Sequence, residues 1–312
     1  MTHTAVPEKI DAHHHLWVRA RTPQPWIDPG TMGAIDADFT PDDLAEALAG
    51  QGVTGTVVVQ SVQEEAETVG LLDLAARTPV VRGVVGWVDL ADAGVADAVG
   101  RLCSGPGGAH LVGVRSMVQA EHDPGYLDGP DLRRGIRAVA GEGLVVDLVT
   151  RHDQLPAVAR LVRELPEVPF VLDHLGKPPL AGPDPTTTGD LAGWAAAIDT
   201  IAASPNVTAK LSGLVTEASW SDWSADGLRP AVDHALGAFG PGRLMYGSDW
   251  PVSLLAARYD RWVDTLTALL AGLSPAEQDA VWQGTARRVY GLPAPALPAP
   301  MTEHPTEEED QG

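Results

Sequence analysis

Cysteine, basic residues and long apolar runs are all scarce in this chain of 312 residues. The single cysteine, Cys103, excludes an intramolecular disulfide and a cluster of thiolate metal ligands. No run approaches the roughly 18 consecutive apolar residues of a membrane span. The opening segment MTHTAVPEKID also lacks the basic and apolar parts of a secretory leader, so we expect a cytoplasmic protein.

The shortage of basic residues argues against two classes of partner. The chain has 21 Lys and Arg against 42 Asp and Glu, which gives a formal net charge of -21. Such a charge repels the phosphates of nucleic acids and the headgroups of anionic lipids. We therefore expect a small-molecule substrate, with neither nucleic acid nor membrane as a partner. These features are compatible with a homo-oligomer.

The last residues, 293–312, differ in composition from the rest of the chain. Alternating Pro and Ala give way to acidic residues in PAPALPAPMTEHPTEEEDQG, which has little apolar surface to bury. We interpret this segment as a disordered acidic tail. Residues 1–292 are then a single domain, a length that one large core can accommodate.

Short runs rich in Val, Ile and Leu alternate with segments of helical period along the domain. This pattern is typical of parallel strands buried on both faces and linked by helices. Eight such runs predict a closed (β/α)8 TIM barrel, and no Gly-rich dinucleotide or phosphate motif follows the first run. The predicted strands are 9–15, 54–60, 81–90, 109–118, 143–149, 169–174, 206–213 and 243–250.

Polar residues stand near the carboxyl ends of several predicted strands. They are Gln60, Arg115, Asp147, His174 and Asp249. Because the carboxyl ends of barrel strands converge on one mouth, where barrel enzymes place their chemistry, we expect these side chains to lie close together.

The first predicted strand ends in three histidines, within IDAHHHLW. Side chains two residues apart on a strand point to the same side, so His13 and His15 are predicted to face the barrel axis and His14 to face outward. Paired imidazoles can bind zinc or donate hydrogen bonds to a substrate carbonyl. The alternative, a solvated or tag-like cluster, fits poorly with a triplet that continues an apolar strand.

Three motifs in order, DAHHHLW, VLDHLGKP and MYGSDWP, resemble the amidohydrolase superfamily. They are most similar to its branch of lactonases, which includes L-fuconolactonase, L-rhamnonolactonase and 2-pyrone-4,6-dicarboxylate lactonase. The segments VVVQSVQEEAETVGLLDLA, LVGVRSMVQAEHDPGYL and AKLSGLVTEASW agree in type and order. The resemblance covers residues 9–292 and implies a barrel enzyme that hydrolyses a small lactone, an ester of the sugar-lactone kind.

The resemblance also implies roles for individual residues. Asp249 would accept a proton from water as general base, while His13, His15 and His174 polarise the lactone carbonyl directly or through a metal. One zinc ion held by His13, His15 and Asp249, with His174 as a further ligand, is one reading of the motifs, and metal-free catalysis is equally compatible with them. A two-metal site is not expected, since the run at 109–118 has no lysine to bridge two ions.

Several of these residues have a second interpretation. Asp249 could cap a helix or order a turn, and His174 could be a core histidine bonded to backbone groups. Arg115 could bind a substrate carboxylate or pair with an acidic neighbour. Glu67 and Glu217 are expected to be ordinary loop or helix residues.

Tryptophan is the abundant aromatic residue, with nine Trp against three Phe. Indole faces stack on the C–H surfaces of sugar rings, so Trp17 and Trp26, which follow the first strand, are predicted to contact substrate. Lys210 and Gln60 are predicted to reach the same pocket. The leading hypothesis is therefore a sugar-lactone hydrolase. The alternatives are a metal-dependent hydrolase or decarboxylase of another small carboxylated or cyclic substrate, and a non-catalytic sugar-binding barrel.

Overall fold

The computed structural model describes residues 8–182 and 189–293. Its eight strands form one parallel sheet in sequence order. They are β1 Lys9–His14, β2 Val53–Val59, β3 Val81–Gly86, β4 Leu111–Ser116, β5 Val145–Leu148, β6 Phe170–Leu172, β7 Val207–Leu211 and β8 Leu244–Tyr246. The chain beyond β8 returns to β1, where Asp249 N donates to His13 O at 2.8 Å and His15 N donates to Trp250 O at 2.7 Å. These bonds close the sheet and confirm the predicted (β/α)8 barrel.

Helices surround the sheet. They are α1 Pro41–Leu48, α2 Glu65–Arg77, α3 Val95–Ser104, α4 Pro130–Gly141, α5 Leu155–Glu164, α6 Ala192–Ala202, α7 Leu214–Glu217, α8 Ala225–Phe239, α9 Tyr259–Leu269, α10 Pro275–Asp279 and α11 Thr285–Val289. Ser274 and Glu277 form a capping box at the start of α10. A π-helical turn, Ala280–Gly284, separates α10 from α11 and buries both Val281 and Trp282.

Every strand ends before its predicted run does, and at two of the strands a left-handed residue explains the difference. The run at 169–174 leaves the ladder after Leu172, because His174 and Leu175 have φ values of 54° and 51°. The run at 243–250 leaves it after Tyr246, and Asp249 has a φ of 57°. A left-handed residue cannot continue a strand, so these segments turn into the mouth of the barrel.

The first strand contains an irregularity that the alternation rule does not predict. Its pairing with β2 shifts register between Asp11 and His14. As a result Asp11 accepts a hydrogen bond from Tyr259 in the helix layer at 2.9 Å, whereas His13 lies beside Lys210 inside the barrel. A bulge of this kind re-aims the side chains that follow it.

A small apolar cluster fills the barrel interior below the mouth. It combines strand residues such as Ile10, Val57 and Val171 with Tyr290 and Leu292 from the end of the described chain. The C-terminal helical segment therefore packs against the barrel, and only Pro293 of the predicted tail lies within the described residues. No helix in the described ranges has both the length and the apolar character that a bilayer crossing needs.

Candidate active site

A pocket of about 670 Å³ opens at the mouth of the barrel. His15, Arg115, His174 and Asp249 line its polar floor. Its remaining lining comes from Pro25, Trp26, Met32, Ser61, Val62, Gln63, Met117, Gln119, Ala120, Val149, Arg151, Lys177, Thr216, Glu217, Trp220, Val252 and Leu255. Every one of these residues lies in or after the carboxyl end of a strand, which is where a barrel enzyme holds its substrate.

The Asp249 carboxylate is the centre of the site. Its Oδ1 lies 3.5 Å from His15 Nε2, 3.7 Å from His13 Nε2 and 3.9 Å from His174 Nε2. All four residues are at most 4% exposed. The structure therefore brings together the four residues that the sequence motifs indicated, from β1, from the turn after β6 and from the turn after β8.

Each imidazole is oriented by a partner on its other nitrogen. His15 Nδ1 donates to Val59 O at 2.8 Å, which turns Nε2 toward Asp249. His174 Nδ1 lies 2.8 Å from Ser212 Oγ. His13 Nδ1 lies 3.2 Å from Lys210 Nζ and 3.3 Å from Asp173 Oδ1. By contrast, His14 turns away from the site and bonds Thr56 Oγ1 through Nε2 at 2.9 Å.

Strained backbone fixes two of the four residues. His174 and Asp249 both have a positive φ, which is uncommon for residues with a Cβ and is often found at functional sites. Gly213 packs beside them with a φ of 62°, and a Cβ at this position would lie 2.5 Å from His174 Nδ1 and 3.1 Å from Asp249 Oδ2. Glycine is therefore required here for the two side chains to approach each other.

Burial and charge set the protonation of the site. Burial lowers the pKa of His174 to about 4 and the pKa of His13 well below its usual range, so both imidazoles are neutral near pH 7. Burial opposes ionisation of Asp249 as well, but the neighbouring His174 and a hydrogen bond from His15 outweigh it and hold the pKa of Asp249 below its usual range. The centre thus holds one carboxylate beside the two neutral imidazoles of His13 and His174.

This donor set fits a divalent metal ion. Ligand atoms of His13, His174 and Asp249 lie within 4.8 Å of one another, and His15 Nε2 adjoins the same carboxylate oxygen. The buried His13 Nε2 has no hydrogen-bond partner among the described residues. Neutral imidazole and carboxylate are ligands that zinc accepts in a mononuclear catalytic site.

Arg115 pairs with an acidic neighbour, which is the second of its two predicted interpretations. Its Nη1 lies 3.3 Å from Asp173 Oδ2, and its Nη2 donates to the backbone oxygen of Gln60. The guanidinium still lines the pocket. Asp173 balances the charge of this guanidinium, so any substrate group would contact a cation that is already paired.

Three predicted substrate contacts need correction. Lys210 and Gln60 are fully buried and Trp17 is 3% exposed, and none of the three lines the pocket. Lys210 is held by carboxylates beneath the floor, and Trp17 is covered because it packs edge-on against Trp26, with ring centroids 5.9 Å apart. Trp26 does line the pocket and is 38% exposed.

Sequence reasoning missed several residues of the site. Asp173, next to His174, contacts both His13 and Arg115. Glu217 lines the pocket and pairs with Lys177 at 3.2 Å. Glu67 is buried and accepts hydrogen bonds from the backbone N–H groups of Ser61 and Val62, which order the loop after β2. The Asp-His pair within VLDHLGKP was the one signal that could have indicated Asp173.

Sequence comparison relates the chain to known proteins over almost all of its length. The model of the amidohydrolase family matches residues 10–292. The chain is 40% identical over 300 residues to L-fucono-1,5-lactonase of Burkholderia multivorans, covering 92% of this chain and 97% of that protein.

Structural comparison agrees with the sequence match. A crystal structure of an amidohydrolase from Burkholderia multivorans with bound zinc superposes with a TM-score of 0.84 and 39% identity, covering 92% of this chain and all of that one. A putative 2-pyrone-4,6-dicarboxylic acid hydrolase from Pseudomonas putida, at 23% identity and a TM-score of 0.70 over 91% of this chain and 97% of that one, shares the fold. These matches confirm the resemblance of the sequence motifs, and the chain belongs to the amidohydrolase family.

Proposed function

We propose that this protein hydrolyses a small neutral sugar lactone to the corresponding hydroxy acid. The observation that carries the proposal is the charged Asp249 at the pocket floor, with Oδ1 within 4 Å of three imidazole nitrogens. A charged carboxylate is a proton acceptor for water, and polar groups converging on the same point stabilise negative charge on an attacked carbonyl. The L-fucono-1,5-lactonase relatives support this reaction class.

The proposed reaction needs one water molecule. Asp249 takes a proton from water as the water oxygen attacks the lactone carbonyl carbon, and the carbonyl oxygen becomes an oxyanion. Polar contacts from the imidazoles around Asp249 stabilise that oxyanion. Such stabilisation typically lowers the barrier by about 3–4 kcal/mol for each good hydrogen-bond donor. The bond from the carbonyl carbon to the ring oxygen then breaks, and the ring oxygen receives the proton from Asp249. The product is an open-chain hydroxy acid.

The same residues would hold a zinc ion. The ligands available at the pocket floor are His15, His174 and Asp249. His13 joins them if its Nε2 presents a lone pair. A bound divalent ion would supply Lewis-acid polarisation of the lactone carbonyl. The relative with bound zinc supports such a site, and the role of Asp249 toward water stays the same.

The charges of the pocket favour a neutral substrate. Lys177 pairs with Glu217 at 3.2 Å, and Arg151 pairs with Asp153 at 3.1 Å. With Arg115 held by Asp173, all three cations that line the pocket have acidic partners. A dicarboxylated lactone would have to displace these partners, whereas hydroxyl groups can bond to both members of a pair.

The apolar part of the pocket suits a sugar ring. Met32, Val252 and Leu255 line it together with Trp26 and Trp220, which are 38% and 36% exposed. Exposed indole faces provide flat surfaces for the C–H face of a sugar, while the hydroxyl groups meet the polar floor.

A hydrolysis panel tests the proposed function. Purified protein, assayed by proton release with and without added zinc, is offered 1,5- and 1,4-aldonolactones, including L-fuconolactone, beside 2-pyrone-4,6-dicarboxylate. We expect turnover of neutral aldonolactones with a kcat/KM at least about 100-fold above that for the dicarboxylate, given the paired cations. Turnover of the dicarboxylate alone, or of no lactone in either metal state, would contradict the proposal.

A further inference from the structure

A cluster of buried charged side chains lies directly beneath the active site. Lys210 on β7 contacts Asp147 Oδ2 at 2.6 Å, Asp173 Oδ1 at 2.9 Å and His13 Nδ1 at 3.2 Å. All four residues are fully buried. Asp147 also accepts a hydrogen bond from Tyr290 at 2.7 Å. Lys210 cannot reach a substrate in the pocket, so any effect on the reaction must pass through a neighbour.

His13 Nδ1 has two neighbours that demand opposite tautomers. An ammonium group can only donate, so a bond from Lys210 requires a lone pair on Nδ1 and places the ring proton on Nε2. A carboxylate can only accept, so a bond to Asp173, whose Oδ1 lies at 3.3 Å, requires the proton on Nδ1. The identity of the stronger partner therefore decides what His13 presents to the active site.

The contacts favour Lys210 as that partner. Its ammonium has three N–H groups, and Asp147, Asp173 and His13 Nδ1 are three acceptors within 3.2 Å. Asp173 already faces two cations, with Lys210 at Oδ1 and Arg115 at Oδ2, 3.3 Å away. The charge of Asp173 is thus balanced without His13, and its Oδ1 makes no hydrogen bond of good geometry with any described residue, His13 included. Lys210 Nζ, by contrast, lies in hydrogen-bonding geometry with His13 Nδ1.

We propose that Lys210 is a positioning residue that donates to His13 Nδ1 and holds this imidazole in the tautomer with its proton on Nε2. The Nε2–H then points to the centre of the site, with Asp249 Oδ1 3.7 Å from Nε2. No described residue forms a hydrogen bond with His13 Nε2. In this tautomer His13 is a hydrogen-bond donor for the carbonyl oxygen of a substrate. It is not a zinc ligand until the proton moves, so Lys210 opposes zinc binding through His13.

The test compares two variants with the wild type. K210M would leave two buried carboxylates with one fewer cation and could fail to fold. The double variant K210M/D147N removes one positive and one negative charge together, so the net charge near the site is unchanged. D147N alone is the matched control, because it keeps the bond from Lys210 to His13.

Two measurements are made on metal-free protein labelled with 15N-histidine. Long-range 1H–15N spectra, with the His13 signals assigned by their loss in H13Q, report which nitrogen carries the proton. We expect Nε2–H in the wild type and D147N, and Nδ1–H in K210M/D147N, where Asp173 is the remaining partner. Titration calorimetry with zinc alone should show a Kd at least roughly 10-fold lower in K210M/D147N than in the wild type.

The opposite results would overturn the inference. These are a proton on His13 Nδ1 in the wild type, or a proton retained on Nε2 in K210M/D147N with a zinc Kd within threefold of the wild-type value. Neither measurement uses a substrate, so a failure of the proposed lactone hydrolysis is seen separately in the hydrolysis panel. A merely structural role for Lys210 would weaken zinc binding, since a loosened site holds its ligands less well.

Discussion

The Nε2 atom of His15 lies 3.5 Å from Oδ1 of Asp249, although the two residues come from opposite ends of the chain. Backbone hydrogen bonds between the end of β1 and the turn after β8 impose this approach, including His15 N to Trp250 O at 2.7 Å. The barrel closure and the active site are therefore one structural feature. A substitution that weakens the hydrogen bonds between β1 and the turn after β8 should therefore reduce activity more than it reduces the stability of the fold.

The histidine triplet should separate into two functional classes. His13→Ala and His15→Ala each remove a group beside Asp249 and should lower kcat by roughly 100-fold or more. His14→Ala removes a buried ring that forms a hydrogen bond with Thr56 of β2. It should therefore lower the free energy of unfolding by about 1–3 kcal/mol and leave kcat within a few-fold of the wild-type value.

Steady-state kinetics and urea unfolding of the three single variants check this division. An equal loss of kcat in His14→Ala, measured on protein that is still folded, would show that the side chains of the triplet face other directions than the structure describes.

Gly213→Ala should disable the enzyme through sterics. The added Cβ would lie 2.5 Å from His174 Nδ1, so the imidazole must move, and a displacement of about 1 Å in a catalytic group can cost roughly 100-fold in rate. Gly143→Ala is the matched control, because Gly143 has a φ of 77° but a Cβ there meets nothing within 4 Å.

Both glycine variants should lose about 1 kcal/mol of stability from the left-handed backbone, and only Gly213→Ala should also lose kcat. Kinetics at matched folded fraction distinguish the two. A fall in kcat of the same size in Gly143→Ala would attribute the effect to backbone strain and not to contact with His174.

Glu67 should give the fold a pH dependence of known sign. Burial raises the pKa of this carboxyl above its usual range despite the hydrogen bonds from Ser61 and Val62. The folded protein therefore binds the Glu67 proton more tightly than the unfolded chain, and the stability that this proton contributes is lost as pH rises through the folded-state pKa.

Glu67→Gln carries no such proton, so the free energy of unfolding of the wild type relative to the variant should fall as pH rises from about 4.5, the usual value, to neutrality. Urea unfolding of both proteins across this range measures the difference. A difference that stays constant or grows with pH would contradict the assignment.

The sequence predicted the barrel because hydrophobic runs and strand-end polar residues follow from the geometry of a closed parallel sheet. It indicated His13, His15, His174 and Asp249 because these residues lie in motifs and at strand ends. It could not place Lys210. Strand alternation predicts that this side chain points into the barrel interior, but it does not predict how far below the pocket floor the side chain lies. The pairing shift between Asp11 and His14 was equally hidden, since a bulge depends on the partner strand.

The pairings of charged groups could not be predicted either. Whether Arg115 meets a substrate or Asp173 depends on a contact between two strands that are distant in sequence, and the net charge of the chain favours neither. The same holds for Lys177 and Glu217, whose pairing at 3.2 Å requires the loops after β6 and β7 to meet.

Asp249 accepts the proton of the attacking water in the proposed reaction, and the most direct test is the turnover of Asp249→Asn with the best lactone of the panel. The amide fills the same space but cannot take up the proton, so kcat should fall at least about 100-fold. Binding of a neutral cyclic analogue without the ester, measured by calorimetry at equal zinc content, should change by less than about fivefold, because loss of the proton acceptor acts on the chemical step. Retention of more than about a tenth of wild-type kcat, in protein confirmed to be folded, would contradict the role of Asp249 as general base.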